Sequence, residues 1–225
     1  MERDGWRRPW HRGAAAVSTF VDVTARGLDR VLAVLRVLAT AGVWFGGGLL
    51  VLLSFAVGTE VLMRRLANHS FTGVDELGGY TLAIVSAIAF TSTLLNRGHI
   101  RIDLVHQRFG PRGRAILDLL AMAGLIAFYG LLLKYAWLLL DRSYTMGSRS
   151  VSPLSVVMWI PQSLWFAGLL LFVVTAVTLF LRSLLALCTG DLRTVNALIG
   201  TLSADDEVAE ELALNAEAQG KEVVK

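Results

Sequence analysis

The chain has 225 residues, 55% hydrophobic and 17% charged, with 21 Lys and Arg against 18 Asp and Glu and a formal charge of +3. Mean hydropathy is +0.59 and the pI is near 9.3. The charged share lies below the ~25% usual in soluble domains. The apolar residues come in long continuous runs, which excludes a β-barrel with its alternating strands. The arginines flank those runs instead of forming one polar face, so lipid headgroups explain the basic balance and nucleic acid does not.

Residues 1–36 form a basic head carrying Arg3, Arg7, Arg8, Arg12, Arg26, Arg30 and Arg36. This head is too long for a cleavable signal peptide, and the run after it exceeds the ~7–15 apolar residues of one, so a retained signal anchor is expected. Within 14–36, Leu28, Val31, Leu32 and Leu35 recur at helical spacing. Asp22 stands one turn before Arg26, and Asp29 and Arg30 keep the other face polar. The pattern predicts a separate amphipathic helix at the membrane interface, with Gly27 as an elbow; the other reading is an inward extension of the first span.

Four apolar runs follow, at about 37–63, 77–95, 115–140 and 159–181. About 20 residues at ~1.5 Å each cross a ~30 Å hydrocarbon layer, so each run is a span. In the first, Gly42 and Gly46 have GxxxG spacing, and Glu60 precedes Arg64 by one turn in the favourable acid-before-base order. In the second, Gly79, Ala83, Ala87 and Thr91 make a stripe of small residues that suits close helix packing, inside the bundle or against another protein. In the third, Asp118 follows Arg114 by one turn, and Lys134 is near enough to the end to snorkel. Tyr135, Trp137, Tyr144, Trp159 and Trp165 gather near one boundary as an aromatic belt, and Pro161 fits the first turn of the fourth span. Beyond 190 the chain is an acidic tail, in which Ser203 and Asp206 have capping-box spacing for a short helix.

Arginine counts set the expected orientation. The 1–36 head and the loop with Arg97, Arg101, Arg108, Arg112 and Arg114 are rich. The loops with Arg64 and Arg65, and with Arg142 and Arg149, are poor. The alternation places both termini in the cytoplasm. Three parts result: a head at 1–36, a four-span membrane domain at 37–190 and a cytoplasmic tail at 191–225.

Chemistry is sparse. Cys188 is the one cysteine, so no internal disulfide forms, and it reads as an apolar filler. His11, His69, His99 and His106 all lie outside the spans, which weakens a haem-holding anchor. His99 and Asp103 are one turn apart with no further ligands beside them, which makes an interfacial contact and not a metal site. There is no P-loop, dinucleotide fingerprint, zinc spacing or catalytic grouping. No catalytic, substrate, metal or cofactor site is assigned to this chain.

Two segments together resemble a family. One is Arg64-Arg65 followed by Val74-Asp75-Glu76-Leu77-Gly78-Gly79-Tyr80. The other, closing the second span, is Asn96-Arg97-Gly98-His99-Ile100-Arg101-Ile102-Asp103. In a four-span chain these are similar to the small, DctQ-type membrane subunit of tripartite ATP-independent periplasmic (TRAP) transporters, over about 40–190. Trp159-Ile160-Pro161-Gln162 is similar more loosely.

The resemblance implies an all-α integral membrane protein of the bacterial inner membrane that is not an enzyme. Its partners would be a large DctM-type membrane subunit, a periplasmic substrate-binding protein and the lipid bilayer. Sodium coupling and an organic-acid cargo would belong to the partners, and this chain would be the scaffold against which the large subunit moves as an elevator. Structural or subunit-contact positions are then Arg64, Arg65, Glu76, Gly79, Ala83, Ala87, Gly98, His99 and Asp103. Glu76 is expected near Arg64 and Arg65, pairing with them or touching the binding protein. The competing readings are a four-helix redox anchor of a dehydrogenase-type complex and a small autonomous carrier or enzyme. The lack of ionisable groups at mid-depth speaks against the last.

Overall fold

The computed structural model describes residues 10–68, 73–98, 109–200 and 212, with side chains from Val21 onward. The described chain is helical: α1 (Trp10–Ala67), α2 (Val74–Leu95), α3 (Pro111–Thr145), α4 (Trp159–Cys188) and a short α5 (Leu192–Ile199). The first four are long and apolar enough to cross a membrane, as expected. They run up, down, up, down.

The observed helices outlast the apolar runs. A run ends where charge begins, at Arg114, Asp141 or Arg182, but a helix can continue through the headgroup layer until the backbone is turned. Pro111 starts α3 at the first helical position, where its missing N–H costs nothing. Gly147 and Gly190, with φ of 60° and 76°, end α3 and α4 in the left-handed conformation. Arg97 plays the same part after α2 with φ 55°. There the Gly98 N–H reaches the Thr93 carbonyl at 2.9 Å and the Arg97 N–H reaches that of Leu94 at 3.2 Å, the paired bonds of a Schellman turn.

The separate interfacial helix is corrected: α1 is one unbroken helix of 58 residues, about 87 Å long, that passes straight through Gly27. One glycine costs a helix about 1 kcal/mol, and the residues after it are held. Leu32, Leu35 and Ala39 are buried. Asp29 takes a two-pronged ion pair from Arg182 of α4, at 2.8 Å (Nε) and 3.4 Å (Nη2). Residues after Gly27 therefore extend the first span instead of folding away from it. Arg26 donates to the Asp22 backbone carbonyl at 3.2 Å, not to its carboxylate.

α4 is the hub, packing against α1, α2, α3 and α5, while α1 also packs along α2. The core is built on Phe172, Ala176, Leu179 and Ala186 of α4, with Leu94, Leu119, Met122, Val195 and Ile199 from its neighbours. Phe172 stacks at a tilt on Tyr129 at 4.4 Å, and Phe90 meets Phe172 edge-on at 6.2 Å. The GxxxG pair faces inward: a methyl on Gly42 would strike the Ile88 side chain, and one on Gly46 would lie 3.2 Å from Val85. The outward faces of the spans keep large apolar residues, among them Trp44, Phe55 and Phe128, as lipid contact requires.

Candidate functional site

The polar groups concentrate at the two ends of the bundle. At the first end, α2 starts with Asp75 and Glu76 in its first turn, where the helix dipole favours negative charge. The Glu76 carboxylate then gathers hydroxyls. Tyr80, one turn on, donates to Oε1 at 2.5 Å, and Ser152, from the loop between α3 and α4, donates to Oε2. Ser150 Oγ lies 3.0 Å from Ser152 Oγ and accepts the Ser152 N–H at 3.2 Å. The Tyr80 oxygen is also 3.2 Å from Met158 Sδ. A phenol has one proton, and the carboxylate is the stronger acceptor, so the thioether is a packing neighbour.

The loop itself is a narrow turn. Ser150 N–H donates to Val156 at 2.9 Å, Met158 N–H to Ser148 at 3.0 Å, and Arg149 reaches the Ser155 carbonyl at 3.1 Å. Leu154 seats on Gly73, whose φ of 105° and lack of a side chain both make room for it. Glu76 and Gly73 thus hold one loop at two points. The partners of Glu76 are hydroxyls and not the Arg64 and Arg65 guanidiniums suggested by the sequence. Arg64 instead pairs with Glu60 at 3.4 Å, and Arg65 is exposed.

The small-residue stripe divides. Ala87 is buried, and a side chain on Gly168 of α4 would come 2.9 Å from its Cβ, so backbones meet closely there. Thr91 is also buried. Gly79 and Ala83 are exposed, and a methyl on Gly79 would meet nothing within 4 Å. Lys134 is exposed with its ammonium 5.9 Å from the Tyr135 ring centroid, at the surface of the bundle. Tyr144 and Trp159 meet edge-on at 5.9 Å within the expected aromatic belt.

At the second end, Gly98 belongs to the turn after α2, while His99 and Asp103 lie outside the described residues, as does the Ser203–Asp206 cap of the tail. Arg97 Nη1 donates to the Asn196 carbonyl of α5 at 3.4 Å. Asp191 caps α5 by accepting from the Thr194 N–H at 3.1 Å and its hydroxyl at 2.5 Å. The Thr194 side chain and backbone bonds hold the Asp191 carboxyl below its ordinary pKa. Asp118 is buried and lines, with Arg114, a cavity beside α5.

Sequence reasoning missed α5, Ser150, Ser152, Gly168 and the Asp29–Arg182 clasp. Only α5 left a signal: Leu192, Val195 and Ile199 share one helical face behind an Asp-x-x-Thr cap. Among the described residues, no group of three His, Cys, Asp or Glu side chains comes together to hold a metal.

Four helices long and apolar enough to cross a bilayer, with polar contacts at both ends of the bundle, define the architecture of a multi-pass membrane protein. The chain belongs to the DctQ component family of tripartite ATP-independent periplasmic transporters, whose model matches residues 53–186, more than half of its length. It is therefore the small membrane subunit of a TRAP transporter, from a family of transporter components and not of enzymes. No match is found among curated proteins or among solved structures.

Proposed function

We propose that this chain is the static brace of a sodium-driven TRAP system that takes up an organic acid, paired with a large elevator-type membrane subunit and served by a periplasmic binding protein. The observation that carries the reading is the character of the interior within a transporter-component family. The buried polar residues near mid-bundle are the neutral Thr91, Thr175 and Thr178, while the buried acids Glu60 and Asp118 sit toward helix ends. Thr175 and Thr178 return their hydroxyls to carbonyls of their own helix, at 2.8 and 2.7 Å. Carrying an ion or a carboxylate across needs polar groups at depth that can release and rebind it. The Thr91 hydroxyl is buried without a hydrogen-bond partner, but it carries no charge, and an interior whose mid-depth polar groups are all neutral hydroxyls suits bracing. Both termini face the cytoplasm in this reading, so the Glu76 end and its loop face the binding protein.

The test is reconstitution in liposomes with an inward sodium gradient. The chain together with its large subunit and binding protein should accumulate an organic acid. The chain alone should accumulate none, and omitting it should abolish uptake by the other two. Uptake by this chain alone would overturn the proposal.

A further inference from the structure

We propose that the cavity between the first turns of α3 and the amphipathic α5 holds the phosphate headgroup of an anionic phospholipid. The cavity is about 310 Å³, with Arg114, Asp118, Arg193 and Asn196 as its polar walls. Two guanidiniums against one carboxylate leave a net charge of +1 in the lining. Arg193 stands on the exposed face of α5 with no carboxylate partner among the described residues. The first turn of α3 contributes Pro111 and Arg114 to the wall. That helix begins at Gly110 with no side-chain cap and no acid in its first turn, so its positive end is left uncompensated by its own residues.

The walls are set in place rather than pliable. Val195 anchors α5 in the core, Arg97 ties down the Asn196 carbonyl, and Asp191 caps the start of the helix. Leu192, Val195, Ala115 and Pro111 make the rest of the lining apolar. A free phosphate has no use for an apolar wall, whereas the glycerol and first methylenes of a lipid do. Placement agrees: the cavity lies where an apolar span passes into an arginine-rich boundary, the level of headgroups, and basic pockets between spans are suited to anionic lipids. The inference depends on membrane placement alone and is independent of cargo.

The test is native mass spectrometry of the full-length chain in mild detergent, titrated with phosphatidylglycerol, phosphatidylcholine or inorganic phosphate. Phosphatidylglycerol should be retained in preference to the other two. Each arginine near a headgroup contributes about fivefold in affinity, so Arg114→Gln with Arg193→Gln should weaken retention by roughly 25-fold. Arg112→Gln, an exposed arginine outside the cavity, should change it less than about twofold. Equal retention of phosphatidylcholine, phosphate binding as tightly as the lipid, or an equal loss with Arg112→Gln would overturn the proposal. If the double variant does not fold, Arg193→Gln alone decides: about a fivefold loss supports the site, and unchanged retention overturns it.

Discussion

The two ends of the bundle hold their helices by different chemistry. Where α2 and α4 begin, one carboxylate, Glu76, collects the hydroxyls of Tyr80 and Ser152 and fastens a loop against α2. Where they stop, long arginines reach across: Arg182 to Asp29 of α1, and Arg97 to the backbone of α5. Hydroxyl bonds are short and directional, so the first end fixes a loop's shape. Guanidiniums on flexible stems fix helix to helix and tolerate small shifts. The contrast follows the distribution of arginine along the chain, which is richer at the second end than at the first, where Arg64, Arg65, Arg142 and Arg149 stand beside Asp75 and Glu76.

The sharpest way to break this contrast is to wedge the bundle between its ends. Gly168→Val puts a branched side chain where Cβ alone would be 2.9 Å from Ala87. The loss should be about 3 kcal/mol or more, read by thermal unfolding in detergent. A stable Gly168→Val protein would mean that the two ends hold the bundle without the middle.

Glu76→Gln should release the loop while leaving the opposite end intact. Amide exchange across 148–158 should accelerate by about tenfold or more, since hydrogen bonds to a charged group are the strong ones. Exchange in 192–199 should not change. Acceleration at both ends would show that the two are coupled.

The Asp29–Arg182 clasp is partly exposed, with side chains 50% and 17% accessible. A double-mutant cycle of Asp29→Asn and Arg182→Gln should give a coupling of about 0.5–1 kcal/mol. Zero coupling would leave Leu32 and Leu35 as the whole basis of the α1 extension.

The smallest effect concerns Asp191. Its folded carboxyl titrates below the ordinary value because Thr194 bonds to the ionised form. The stabilisation is therefore present above the unfolded pKa and is lost as pH falls through the folded one. The protection of the α5 amides, measured relative to their intrinsic exchange at each pH, should fall on acidification, and Asp191→Asn, a good cap at any pH, should flatten that dependence.

Span number, the GxxxG contact and the inward facing of Gly42 and Gly46 were legible because periodicity and residue size carry them. The stripe on α2 was legible only as a pattern. Gly79 and Ala87 look alike in sequence, yet only Ala87 lies against Gly168 of α4, a partner far along the chain that the local pattern does not name. Glu76 was readable as a special acid, but its partners Ser150 and Ser152 lie more than seventy residues away and carry no pattern of their own. The Gly27 elbow failed because a local signal, a missing side chain, was outweighed by tertiary ties at Asp29, Leu32 and Leu35.

α4, which touches every other described helix, is also the last of the four spans to leave the ribosome. α1 and α2 can form a hairpin as soon as both have been inserted, but α3 has no broad partner among them. It must wait in lipid until the segment from Trp159 arrives. A chain interrupted before that point therefore leaves the face of α3 that α4 covers without a protein partner, so the bundle closes only when α4 arrives.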